Sequence, residues 1–192
     1  MSCPPVRVAV LISGTGSNLR ALVDAADTTY EVALVLSNRA EAAGLAWATE
    51  RGIATVALPH APFGKDRQAH EAALDEALHA HDIRVVALAG YMRVLTPWLV
   101  GRWSGRMLNI HPSLLPKYPG LDTHRRALEA GDTEAGCTVH LVSEGVDEGP
   151  ILDQARVPVL EGDTPETLAA RVLEAEHRLY PQALAAYCAG LG

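Results

Sequence analysis

Short runs of β-branched residues alternate along this chain with alanine-rich segments at helical spacing, and this alternation restricts the fold more than any other feature of the sequence. Strands joined by helices do not pair as hairpins; they lie parallel, with the crossover helices packed on the sheet. "VRVAVLIS" leads into a helix from Asn18 to about Ala26, "EVALVLSN" into one from Ala42 to Arg51, and "IATVAL" into one from Asp66 to His81. "RVVALAG" then precedes a short helix near Trp98, "RMLNI" runs into a proline-rich loop, and Thr123 to Ala130 is helical again. "CTVHLV" and "ILDQARVPVL" are separated by "SEGVDEGP", whose glycines and acids suit a loop between antiparallel strands. In the last helix Thr164 is the cap and Pro165 takes the first position. Leu168, Val172, Ala175 and Leu179 form one apolar stripe there, which Tyr180-Pro181 is expected to disturb. With no linker or repeat in between, residues 1–192 read as one domain. The expected fold is α/β and Rossmann-like: a mostly parallel twisted sheet with helices on both faces and an antiparallel C-terminal edge.

Composition narrows the partners. The formal charge is -7 and the basic residues form no cluster, which makes nucleic acid a poor partner and a small molecule the expected one. No apolar stretch approaches the ~20 residues of a membrane helix, and the start has no basic segment ahead of its apolar run, so neither a membrane nor export is expected. Cys3, Cys137 and Cys188 are scattered without a C-x-x-C pair, which argues against a disulfide framework or a zinc knuckle and fits a reducing cytoplasm. No metal is expected: His79 and His81 are two apart on a helix and face different sides.

In such sheets ligands bind beyond the carboxyl ends of the strands, so the loops after strands are where chemistry is sought. "SGTGSNL" turns from a strand into a helix start, presenting backbone N–H groups and a helix dipole to an anion, with Gly16, Ser17 and Asn18 at its tip. Leu19 stands where a dinucleotide fingerprint needs a third glycine, and no Gly-Lys pair is present, so a single phosphate is the expected guest. The same residues also suit a plain tight turn in which Ser17 or Asn18 caps the helix.

"RMLNIHPSLLPKYPG" is more specific. Residues two apart on a strand share a face, so Asn109 and His111 project together at a strand end. Pro112, Pro116 and Pro119 restrict the loop that follows, which favours a preorganised pair of amide and imidazole. Ser113 lacks the G-x-S-x-G surroundings of a nucleophile. Asp147, between the glycines of "SEGVDEGP", is either an ordinary turn former or, if it reaches His111, a carboxylate that favours the protonated ring.

"LISGTGSNL", "ALAGYMRVLTP", "LNIHPSLLPKYPGLDTHRRAL", "GCTVHLVSEGVDEGPIL" and "EAEHRLYP" occur in one order, and in this the chain resembles the phosphoribosylglycinamide formyltransferases, a family of folate-dependent formyltransferases of purine synthesis. The N-x-H-P-S-L-L-P core marks the wider folate-dependent group, and "GTGSN" with the compact length points to this family within it. The resemblance implies a formyl transfer from 10-formyltetrahydrofolate to N1-(5-phosphoribosyl)glycinamide, with Asn109, His111 and Asp147 catalytic. It further implies that Gly16, Ser17 and Asn18 hold the phosphoribosyl substrate and that Glu176 reaches its ribose. Arg67, Met92, Arg93, Val94 and Leu95 would line the folate pocket with Asn109, and the loop Ser143, Glu144, Gly145 and Val146 would close over the pterin. A monomer or homodimer in the cytoplasm is expected, and a formyltetrahydrofolate hydrolase is the alternative activity.

Overall fold

The computed structural model describes residues 4–191; Cys3 lies outside the described residues. Seven strands form one sheet in the order β3-β2-β1-β4-β5-β6-β7. β1 (Val6–Ile12), β2 (Tyr30–Ser37), β3 (Ala54–Ala57), β4 (Val85–Leu88) and β5 (Met107–His111) are parallel, and β6 (Glu134–Leu141) and β7 (Ile151–Pro158) continue the sheet antiparallel. The crossovers are α1 (Ser17–Asp24), α2 (Ala43–Glu50), α3 (Arg67–Ala80) and α4 (Pro97–Arg102), followed by α5 (Thr123–Glu129) and the long α6 (Pro165–Ala189). The order reverses at β1, between β2 and β4, which opens a crevice at the carboxyl end of β1.

Period-two alternation divides the core between the two faces. Val8, Val10 and Ile12 pack with Leu19, Leu22, Leu45 and the inner stripe of α6, whereas Ala9 and Leu11 pack with Leu74, Leu78, Leu99 and Trp103 on the other side. Fully burying one such leucine contributes about 1.5–3 kcal/mol, so both helical layers are held mainly by this apolar burial. No helix among the described residues is long and apolar enough to cross a membrane.

The last helix departs from expectation. It runs through Pro181 to Ala189, and Tyr180, Pro181, Ala183, Leu184 and Cys188 extend the buried stripe. Pro181 has no N–H to give the preceding turn, but tertiary packing of the surrounding residues outweighs the missing bond. Tyr180 also has a specific task. Its buried hydroxyl lies 3.0 Å from the carbonyl of Leu88, the last residue of β4, and 3.2 Å from that of Leu108, the second residue of β5, so it can bond either strand.

Candidate active site

The carboxyl ends of β1, β4 and β5 face a common opening, and three groups of residues converge there. The first is the turn between β1 and α1. Gly16 has φ +74°, a conformation that disfavours side chains, and a Cβ there would sit 3.3 Å from the Gly44 Cα, so the turn needs glycine on both counts. Neither Ser17 nor Asn18 caps α1, since no side-chain cap bond is made at Gly16. The turn lines a cleft of about 340 Å³ from Ser13 to Asn18, which Arg39 and Met92 also line. Arg39 was not anticipated. It follows strand β2, where loop residues of such a sheet meet ligands, and that position was the available signal.

Asn18 turns away from capping to donate to Glu176 Oε2 at 2.8 Å, leaving its buried Oδ1 without a partner. Burial lifts the Glu176 carboxyl above its ordinary value, and the Asn18 bond offsets this only in part. A carboxylate raised in the folded state contributes most below its unfolded pKa, and that stability is lost as pH rises through the higher folded value. Glu176→Gln keeps an acceptor for Asn18 but has no charge to bury. It is therefore expected to have a higher Tm than the unaltered protein at neutral pH, with the gap closing in mild acid. Thermal unfolding across pH checks this, and a variant that is less stable at neutral pH defeats it.

The second group follows β4. Met92 and Val94 are 70% and 65% exposed, forming an apolar rim with backbone groups between them. Arg67, the first residue of α3, donates to the Val94 carbonyl, so the structure joins two segments that the sequence separates. Arg93 is half-buried, with its Nε unpartnered. Leu95 packs on the same apolar cluster as Val142, which precedes the Ser143–Val146 loop. Val146 in that loop is 56% exposed.

The third group is the polar centre. Asn109 and His111 do share a face of β5, and their cross-strand partners on β6 are His140 and Thr138. The His111 Nδ1 lies 3.3 Å from Asp147 Oδ2, and its Nε2 lies 2.9 Å from the Tyr118 carbonyl. The Nε2–H donates to the Tyr118 carbonyl, and Nδ1 stands at ion-pair distance from the Asp147 carboxylate, so a protonated ring faces a negative charge on that side. His140 is the residue that sequence reasoning missed. Its Nδ1 is 2.9 Å from the Leu141 carbonyl, while Nε2 is 3.3 Å from Asn109 Nδ2 and 3.5 Å from Asp147 Oδ1. With Nδ1–H given to a carbonyl, a neutral His140 accepts from the Asn109 amide, and a protonated one donates to Asp147.

Asp147 also accepts the Gly120 N–H at 2.9 Å, which ties its loop to the proline-rich loop. Burial works to raise its pKa, but the His140 and Gly120 bonds and the two nearby imidazoles together outweigh it, and the carboxyl sits below its ordinary value. The proline-rich loop is fixed from inside. Ser113 Oγ donates to the Lys117 carbonyl at 2.6 Å, which commits that hydroxyl to structure, and Thr138 Oγ1 bridges the Ser113 carbonyl and the Leu115 N–H. Among the described residues no three His, Cys, Asp or Glu side chains are grouped to hold a metal ion.

A mostly parallel sheet thus brings to one opening a cleft at its first turn, an apolar rim, and Asn109, His111 and Asp147 side by side. Comparison with known proteins gives the class. The family described as Formyl transferase matches residues 6–184, so the chain belongs to the formyl transferase family. Membership implies a folate-type formyl donor. The chain is 47% identical over 188 residues to phosphoribosylglycinamide formyltransferase of Escherichia coli (strain K12), covering 96% of this chain and 88% of that protein. A crystal structure of phosphoribosylglycinamide formyltransferase from Brucella melitensis is 55% identical, covers 96% of each chain and superposes with a TM-score of 0.92. The chain is also 49% identical over 195 residues to a trifunctional purine biosynthetic protein adenosine-3 of Drosophila pseudoobscura pseudoobscura, of whose length it spans 14%.

Proposed function

We propose that this protein transfers the formyl group of 10-formyltetrahydrofolate to the amine of N1-(5-phosphoribosyl)glycinamide, a step of purine synthesis. The observation that carries the reading is the contact of Asp147 with both His111 and His140 beside Asn109, at the mouth of a sheet whose first turn forms the anion cleft. The phosphate takes the N–H groups of Gly16, Ser17 and Asn18 with Arg39 in the same cleft, and the ribose meets Glu176. The pterin lies along Met92–Leu95 beneath the Ser143–Val146 loop, with Arg67 and Arg93 at its side.

The amine lone pair forms a bond to the formyl carbon while the carbonyl π electrons move to oxygen, giving a tetrahedral centre with negative charge on that oxygen. The Asn109 amide donates to it, and the imidazolium of His111 stabilises it as a neighbouring charge. Such fixed groups contribute about 3 kcal/mol each in a site closed to water. His111 can also give its Nε2–H by exchanging the Tyr118 carbonyl for the substrate. Collapse breaks the bond from carbon to folate N10, which takes up a proton as the attacking nitrogen loses one. Asp147 accepts or relays that proton through the histidines.

Hydrolysis of the formyl donor by the same centre is the rival activity, and it leaves the Asn18–Glu176 pair and the Arg39 cleft without a task. An assay with glycinamide ribonucleotide or water as acceptor separates the two. Formyl transfer that depends on the ribonucleotide is expected; deformylation at an equal rate without it defeats the proposal.

A further inference from the structure

We infer that Ser13 and Glu71 are positioning residues for the Met92–Thr96 segment and that they set the affinity for the formyl donor; this rests on the assignment of that segment to the folate. The segment leaves β4 as irregular chain, and Met92 and Val94 turn their side chains to solvent, so packing on the outside does little to hold it. Its backbone is tied instead by polar side chains from other elements. At the near end the Met92 N–H donates to Ser13 Oγ at 2.8 Å, and the same hydroxyl donates to Asn38 Oδ1 at 2.6 Å. At the far end the Thr96 N–H donates to Glu71 Oε1 at 2.8 Å, and the Thr96 hydroxyl donates to Glu71 Oε2. Between them lies the bond from Arg67 to the Val94 carbonyl.

Two features argue that these ties serve the segment. Glu71 is fully buried, and its bonded partners among the described residues are the amide and hydroxyl of Thr96. Burying a carboxylate without a bonded cation is costly, and here both its oxygens are spent on one residue at the end of the segment. The second feature is the direction of the Ser13 bonds. A hydroxyl has one hydrogen, so with it given to Asn38 the lone pairs are left to receive the Met92 N–H, and the order of donors is fixed. Ser13 opens the "SGTGSN" turn, so a single buried hydroxyl joins the anion cleft to the donor rim. A segment fixed before the ligand arrives loses little further entropy on binding, which places its effect on affinity more than on turnover.

The test compares Ser13→Ala, Glu71→Ala and the isosteric Glu71→Gln with the unaltered protein. Readouts are hydrogen exchange at the Met92 and Thr96 amides, Kd for tetrahydrofolate and for glycinamide ribonucleotide, and steady-state constants. Exchange is expected to speed up by about tenfold or more at Met92 in Ser13→Ala and at Thr96 in Glu71→Ala. The donor KM should rise by about tenfold, with kcat changing less. Glu71→Gln should recover part of the loss, since its amide oxygen still accepts the Thr96 N–H, and it keeps the test available if Glu71→Ala does not fold. Ribonucleotide affinity should survive in the Glu71 variants, whereas Ser13→Ala weakens both ligands. If the unaltered protein binds no tetrahydrofolate, the functional reading falls and takes this inference with it. If it binds, but the variants bind equally well or show a uniform loss of protection without a split of KM from kcat, the inference alone is overturned.

Discussion

Asp147→Asn is expected to lower kcat by about 10²-fold or more while leaving substrate binding far less affected. The substitution keeps the side chain's size, and the remaining oxygen can still accept the Gly120 N–H, so the loop should stay in place. What goes is the charge that lies 3.3 Å from His111 and 3.5 Å from His140. Without it nothing balances an imidazolium between the Tyr118 carbonyl and position 147, and the proton acceptor for the attacking amine is also lost. His111→Ala should cost a similar factor. The double variant should lose less than the product of the single losses, because the two groups act as a unit.

The pH dependence of stability has a definite sign. The Asp147 carboxyl is depressed in the folded state, so its contribution is present above the unfolded pKa and lost as pH falls through the lower folded one. The asparagine variant lacks that contribution at neutral pH, and its stability deficit should narrow in acid. Steady-state kinetics on folded variants and unfolding curves across pH check both statements. Near-normal kcat in Asp147→Asn would return this residue to the status of a turn former.

The sheet was legible because strand and helix periods differ so clearly in this chain, and the loop between β6 and β7 was legible because eight glycine-rich and acidic residues are too few for a crossover helix. Asn109 and His111 were visible as a pair because period two puts them on one face of a single strand. His140 was not. Its place depends on the antiparallel register that sets it opposite Asn109, and a pairing register between strands separated by a helix leaves no local mark in the sequence. Had Thr138 and His140 been read as a second alternating pair, with their strand next to β5, His140 would have been a candidate. The continuation of α6 past Pro181 was hidden for a related reason. Local propensity argues for a break there, and only the packing of Ala183, Leu184 and Cys188 on the sheet shows why the helix persists. The Ser13 and Glu71 ties were out of reach too, since each joins residues far apart in the chain through a side chain whose direction the sequence does not show.

Gly149→Ala is expected to lower kcat by about 10²-fold without removing any group that touches substrate. A Cβ at Gly149 would lie 1.7 Å from the Leu141 carbonyl oxygen and 2.8 Å from its carbon. These are backbone atoms at the end of β6, fixed in turn by the Leu141 N–H bond to the Pro150 carbonyl at 2.9 Å, so no side-chain rotation relieves the overlap. The chain must shift by an ångström or more, and the parts nearest to the clash are His140 on one side and the loop carrying Asp147 on the other. A displacement of that order is enough to misalign a proton acceptor. Overpacking of this kind also costs about 1–3 kcal/mol of stability. Gly145→Ala supplies the contrast within the same loop. Its Cβ would meet the Glu148 carboxyl group, the nearest atom at 2.2 Å, which can swing into solvent, and the Glu148 Cβ at 3.1 Å, which needs only a small adjustment of the loop. The Gly145 variant should therefore stay within about 0.5 kcal/mol of the original stability. Since this residue lies in the loop over the pterin, any effect should fall on the donor KM and leave kcat within a few-fold, about 10-fold or more above the Gly149 variant. Thermal unfolding and steady-state kinetics on the two variants decide the matter: if both behave alike, the close approach of Gly149 to Leu141 is not what holds Asp147 and His140 in register.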